Sequence, residues 1–181
     1  MRVLFVCTGN LCRSPMAEAL LRRALSERSC SDVEVGSAGT WALYGSPAME
    51  DAVAVVAARG ADLSGHASRG LDPREIAAAD LIVAMTSVHR REILAVAPEA
   101  ERKLVLIKEL PELEIAKSAD GSASERLKNL LALPRPRWRR ALDLDDPIGL
   151  PRLAYERCAS EIDAGIAVLA DVLCGPKEQV S

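Results

Sequence analysis

Residues 7–14 read Cys7-Thr8-Gly9-Asn10-Leu11-Cys12-Arg13-Ser14, between the apolar run Val3–Val6 and the helix-like stretch Pro15–Leu21. A thiol, a guanidinium and a hydroxyl therefore meet where a short strand gives way to a helix. A turn of this kind aims successive backbone N–H groups and a helix N-terminus at one point, which makes an anion site. Cysteines at helix N-termini ionise at about 3.5–7.5 instead of about 8.5, so they are nucleophiles at neutral pH. The segment reads as a nucleophile, Cys7, with a phosphate-binding loop formed by Thr8, Gly9, Asn10, Leu11, Cys12, Arg13 and Ser14.

The Cys-x5-Arg spacing alone is a weak signal, and Cys7 by itself reads equally as a small buried residue at a strand end. Its neighbours tip the balance. Gly9 and Asn10 tolerate the left-handed backbone that a phosphate-binding nest requires. Arg13 offers a planar fork that matches two phosphate oxygens. Ser14 fits either a helix cap or a hydrogen bond to the thiolate, and Pro15 suits the first helical position, where no N–H is needed.

A thiolate that attacks a phosphoester also needs a proton donor for the departing oxygen, and a carboxyl group is the usual one. The segment Asp143-Leu144-Asp145-Asp146-Pro147-Ile148-Gly149 supplies three candidates in a stretch that Pro147 and Gly149 mark as a loop. Each of these carboxylates could instead cap the helix that follows near residue 150.

The run from Val6 to Glu18 resembles the signature of the low-molecular-weight protein tyrosine phosphatases. That family also includes bacterial protein arginine phosphatases and thiol-dependent arsenate reductases. Further similarity lies at Ser37–Thr40, His66–Arg69, Asp80–Met85 and Asp146-Pro147, and it weakens between residues 110 and 142. The resemblance implies a four-stranded parallel sheet in the order 2-1-3-4 and selects Asp146, the residue before proline, as the acid. It also implies that Cys12 forms a reversible disulfide with Cys7, which protects the nucleophile from over-oxidation. The plain alternative for Cys12 is a space-filling residue under the loop.

The expected mechanism has two steps. Cys7 attacks phosphorus while Asp146 protonates the leaving group, and Asp146 then activates water to hydrolyse the phosphocysteine. Arg13 and the N–H groups of residues 8 to 13 hold the phosphoryl oxygens. Asn10 is expected to fix the loop through its side-chain amide, with Ser37 or His66 as partner. No metal or other cofactor is expected.

Leu11, Trp41, Tyr44 and Ile148 are the candidates for the substrate wall. A bulky aliphatic at Leu11 resembles the tyrosine phosphatases, whereas the arginine phosphatases carry a small polar residue there. Trp41 and Tyr44 fit an aromatic wall for a phenol ring, or a simple anchor for their loop. Ile148 departs from the aromatic residue that many family members carry after Asp-Pro. Phosphotyrosine on a protein is the expected substrate and phosphoarginine the alternative. Arsenate reduction and a non-catalytic phosphate-binding module fit less well, since paired resolving cysteines are missing from the tail and Cys7, Arg13 and Asp146 are all present.

The elements that must position these residues follow from periodicity. Strand-like runs at 2–6, 33–37, 80–85 and 103–107 alternate with helix-like stretches at 15–28, 47–59, 86–97 and about 150–174, and a shorter helix is expected near 125–133. Alternation of buried strands with helices argues for an α/β protein, a parallel sheet covered on both faces in three α/β/α layers. Ligands of such sheets bind at the carboxyl ends of the strands, where Cys7 lies. Leu153, Cys158, Ile162, Ile166, Leu169 and Val172 mark the buried face of the last helix.

With 181 residues, 49% of them hydrophobic, the chain suits a single domain over residues 1–181, with an irregular insertion at about 110–142. No apolar run is long enough to span a membrane, and the first residues lack a signal-peptide pattern. Five cysteines without a paired spacing argue against a disulfide scaffold or a zinc site, as do only two histidines, His66 and His89. A cytoplasmic protein acting as a monomer or weak dimer is expected. The net charge of −3 gives no support for nucleic-acid binding. Arg135-Pro136-Arg137-Trp138-Arg139-Arg140 is a local basic exception, readable as a solvated loop or as a docking patch for acidic partners.

Overall fold

The computed structural model describes residues 1–113, 121–136 and 140–176. Its strands are β1 (Arg2–Cys7), β2 (Glu34–Gly39), β3 (Leu81–Ala84) and β4 (Leu104–Leu106). All pairings are parallel and the order is β2-β1-β3-β4. The helices are α1 (Arg13–Ser26), α2 (Glu50–Ala57), α3 (Pro73–Ala78), α4 (Ser87–Val96), α5 (Ala123–Ala132) and α6 (Arg152–Cys174).

The two-residue period of a strand divides the core. Val3, Phe5, Val35, Leu81, Val83 and Val105 pack with Met16, Leu20, Val55, Leu127, Ile162 and Ile166, so α1, α2, α5 and α6 cover one face. Leu4, Val6, Ala38, Ile82, Ala84, Leu104 and Leu106 point the other way, onto Ile76 of α3 and Ile93 of α4. The strands are therefore apolar on both sides, as a parallel sheet between two helical layers demands.

Three local expectations need correction. The last helix starts at Arg152, and Leu153 on its first turn is exposed, whereas Cys158, Ile162, Ile166, Leu169 and Val172 are buried. Helix α1 begins at Arg13 with Cys12 at the N-cap, so Ser14 does not cap it and Pro15 is its third residue. Proline is tolerated there because the first backbone bond comes from Met16 N–H to the Cys12 carbonyl, at 2.9 Å. Helix α3 was not foreseen. Six residues with one buried side chain, Ile76, carry no period, although Asp72 at the N-cap and Pro73 at the first position give a start signal.

The stretch expected to be irregular, 110–142, contains α5, whose Ser122 and Glu125 form a reciprocal capping box. Arg126 ties α5 to the end of α6 through the Val172 carbonyl at 2.7 Å. Within the basic segment, residues 137–139 lie outside the described residues, as do residues 117–120 of the polar loop.

Candidate active site

Six consecutive carbonyls leave the turn between β1 and α1 in outward directions. The Cys7 carbonyl accepts from Thr40 N, Thr8 from Trp41 N, Leu11 from Met49 N and Cys12 from Met16 N, each at 2.9 Å. The Gly9 carbonyl accepts from the Ser68 hydroxyl at 2.9 Å and the Asn10 carbonyl from His66 Nε2 at 2.7 Å. A carbonyl oxygen can only accept, so His66 carries its proton on Nε2. In a trans peptide the N–H points away from the C=O of the same unit, and no cis bond occurs among the described residues. Holding the carbonyls of residues 7–12 outward therefore turns the N–H groups of residues 8–13 inward, towards one point.

Asn10 makes the reversal. It is fully buried and sits at φ 54°, the left-handed region that asparagine tolerates better than most residues. Its side-chain oxygen accepts from Arg69 N at 3.0 Å, which orients the amide. The amide nitrogen donates to Ser37 Oγ at 2.9 Å and to Ser14 Oγ at 3.0 Å. Of the two partners expected for this side chain, Ser37 meets it, while His66 holds the backbone of the same residue.

The Asn10 amide occupies one lone pair of the Ser14 hydroxyl, so the single Ser14 proton must find an acceptor. Cys7 Sγ lies at 2.9 Å and the Ala38 carbonyl at 3.4 Å. A thiolate can only accept, so when Cys7 is ionised the 2.9 Å contact is one that Ser14 donates. Cys7 itself is buried at the carboxyl end of β1.

Arg13 is 4% exposed. One terminal nitrogen donates to the Leu144 carbonyl at 3.2 Å and the other forms an ion pair with Asp146. Its Nε is buried and has no partner among the described residues. A buried donor without an acceptor is available to a ligand oxygen that enters the loop. Asp146 Oδ1 accepts from Ile148 N at 3.2 Å and meets the Cys12 thiol at 3.8 Å. Burial, and after it the neighbouring Cys7 and Asp146, push the Cys12 thiol far above its ordinary pKa, so it stays a protonated donor.

The structure thus brings Cys7, Cys12, Arg13, Ser14 and Asp146 together. Trp41 and Tyr44 are exposed. Trp41 adjoins the loop through its backbone N–H, whereas the Tyr44 ring lies over Gly70, where any Cβ would overlap it. Asp143 accepts from Ser87 N at 2.6 Å and from its hydroxyl at 3.0 Å, so it binds the start of α4. Cys158 is a buried thiol on α6 whose pKa burial pushes up to about 12.

Thr40, Met49, Ser68 and His89 were not foreseen as part of the site. Three of these hold loop carbonyls, and His89 Nε2 lies 2.8 Å from Thr8 Oγ1. His89 is one of only two histidines, which was the available signal.

Against known proteins, residues 2–120 match the profile of the low molecular weight phosphotyrosine protein phosphatases. The chain belongs to this family. It is 39% identical over 146 residues to the low molecular weight protein-tyrosine-phosphatase Etp of Escherichia coli K12, covering 77% of this chain and 93% of Etp. It is 34% identical over 172 residues to the protein-arginine-phosphatase of Geobacillus stearothermophilus, covering 95% of both. The crystal structure of a low molecular weight protein tyrosine phosphatase from T. tengcongensis superposes with a TM-score of 0.75 at 34% identity, covering 96% of this chain and 99% of that one.

Proposed function

We propose that this protein hydrolyses phosphotyrosine on proteins through a phosphocysteine on Cys7, with Asp146 as general acid and base. One observation carries the reading: the loop that begins at the buried Cys7 turns its amides inward and ends on Arg13, whose Nε is unpartnered among the described residues and whose fork is ion-paired to Asp146. In the first step Cys7 Sγ bonds to phosphorus, the ester P–O bond breaks, and the Asp146 proton moves to the departing phenolic oxygen. In the second, the Asp146 carboxylate takes a proton from water as that oxygen bonds to phosphorus and the P–S bond breaks. The inward amides and Arg13 stabilise the equatorial oxygens throughout. Cys12 serves as the resolving thiol that shields Cys7 from over-oxidation.

Leu11, Trp41, Tyr44 and Ile148 form the wall around the phosphorylated group in this reading. The whole chain acts as one phosphatase domain on phosphorylated proteins, as a monomer or weak dimer in the reducing cytoplasm that a free thiol nucleophile requires. Phosphoarginine is the second reading, favoured by the relative from Geobacillus stearothermophilus, which matches 95% of both chains.

The test is hydrolysis of phosphotyrosine and phosphoarginine peptides side by side by the purified protein, with Cys7→Ser as control. Preference for phosphotyrosine and loss of turnover in the variant are expected. Preference for phosphoarginine selects the second reading, and full activity in Cys7→Ser overturns both.

A further inference from the structure

Thr8 is an exposed residue with a side chain that is nevertheless held. Its Oγ1 lies 2.8 Å from Nε2 of His89, the third residue of α4, which is 2% exposed. The other ring nitrogen, Nδ1, lies 2.9 Å from Thr86 Oγ1. Thr86 is the N-cap of α4 and also accepts from the His89 backbone N–H at 3.4 Å. A neutral imidazole has one N–H and one acceptor nitrogen, so the ring donates in one of these two contacts and accepts from a threonine hydroxyl in the other.

The surroundings keep the ring neutral. Arg13, Glu92, Asp143 and Asp146 are the charged groups that face it; burial first, and Arg13 second, bring its pKa down to about 4. The hydrogen-bond pattern is therefore that of the unprotonated ring at neutral pH.

The grip has a mechanical consequence. The peptide between Cys7 and Thr8 carries the first inward amide of the phosphate loop. Its Cys7 carbonyl is held by Thr40 N and the next carbonyl, of Thr8, by Trp41 N, both from the segment after β2. The Thr8 side chain is held from the opposite flank, by the turn after β3. That same turn binds the acid-bearing loop, through Leu144 N to the Met85 carbonyl at 2.9 Å and Ser87 N to Asp143 Oδ1 at 2.6 Å.

We propose that His89 is a positioning residue of the phosphate loop: the hydrogen bond between its Nε2 and Thr8 Oγ1 fixes the peptide beside the nucleophile relative to the loop that carries Asp146. This rests on the phosphatase reading above, for either substrate. It does not require His89 to touch the substrate or to exchange a proton during the reaction.

The conservative variants separate this role from simple core filling. His89→Gln keeps an amide that can donate or accept near the Nε2 position, whereas His89→Asn is too short to reach Thr8. Thr8→Ser keeps the hydroxyl, and Thr8→Val removes it at nearly constant shape from an exposed site. The readouts are kcat/KM on an aryl phosphate, the inhibition constant of vanadate, and Tm.

His89→Asn and Thr8→Val are each expected to lower kcat/KM and weaken vanadate about tenfold, the worth of one well-placed hydrogen bond. The double variant should be no worse than either single one, because both remove the same contact. His89→Gln and Thr8→Ser should stay within about threefold of the wild type, since each retains that bond. A lower Tm in His89→Asn with kcat/KM and vanadate inhibition unchanged would make His89 a packing residue and overturn the proposal. So would additive losses in the double variant. Failure of the phosphatase reading itself would show separately, as full activity in Cys7→Ser.

Discussion

The Arg13 guanidinium is ion-paired to Asp146, so the cation that would bind phosphate holds the carboxyl that would protonate the leaving group. The pair is asymmetric: the Arg13 side chain is 5% exposed and that of Asp146 43%. Arg13 is further fixed by the Leu144 carbonyl, two residues before Asp146. A phosphoryl group entering the loop therefore meets a fork already oriented, with Nε available and one terminal nitrogen shared with the acid. Shared tenancy of Arg13 places the carboxyl beside the reaction path, and it also sets carboxylate and phosphate in competition.

Asp146→Asn should separate these two effects. Turnover should fall by about 10²–10⁴-fold on poor leaving groups, the usual contribution of general acid catalysis, and by less on good ones. Inorganic phosphate should inhibit the variant more strongly than the wild type, because a neutral amide no longer competes for Arg13. Steady-state kinetics across a series of aryl phosphates, with phosphate inhibition, check both parts. An unchanged dependence on leaving group would remove Asp146 from the acid role.

Asn10→Ala should destabilise the protein by roughly 3–5 kcal/mol, from an unfavourable left-handed alanine and the loss of buried hydrogen bonds. The lost bonds are those to Ser14, Ser37 and the Arg69 amide. Asn10→Gly relieves the backbone part alone and should fall between the two in urea melts. Vanadate affinity should follow the same order.

Gly39→Ala tests how closely β2 supports the loop. A Cβ at Gly39 would run into the Thr8 carbonyl and reach 3.0 Å from Asn10 N, and both contacts are backbone that cannot rotate away. The variant should lose oxyanion binding at least as severely as it loses stability. Vanadate titration beside a thermal melt would show whether the loop or the whole fold gives way.

Stability should depend on pH through His89. The folded-state pKa is lowered to about 4, chiefly by burial, from an ordinary 6.5. Between these values the unfolded chain binds a proton that the folded chain refuses, so stability falls as pH drops from about 6.5 towards 4. The contribution is fully present above 6.5 and amounts to about 3 kcal/mol at most. Urea midpoints measured at pH 7 and pH 4.5 should differ less in His89→Gln than in the wild type.

Cys12→Ser tests protection of the nucleophile. Peroxide inactivation of the wild type should be reversed by dithiothreitol, through reduction of a Cys7–Cys12 disulfide, whereas the variant should stay inactive as Cys7 proceeds to the sulfinic acid. Equal recovery of both proteins would leave Cys12 a space-filling residue.

Much of this protein was legible because its key parts are contiguous. Strand end, nest and helix start lie within Cys7–Ser14, so residue types and their order together point to a candidate nucleophile, a left-handed position and a guanidinium. Buried parallel strands announce themselves as short apolar runs, and sheet order followed from the resemblance carried by that first motif. Asp146 was singled out among three nearby carboxylates only by the resemblance, which points to the aspartate before proline. The tertiary structure decided what turns the loop into a cradle. Thr40, Trp41 and Met49 hold its carbonyls with backbone N–H groups, which almost any residue could supply and which leave no mark in a sequence. Ser68, His66 and His89 act from about 60 to 80 positions away, through contacts that exist only once β1 lies between β2 and β3. The sequence supplied the groups proposed to react, and the fold determined where they point, because orientation in this loop is set by hydrogen bonds from distant peptide units.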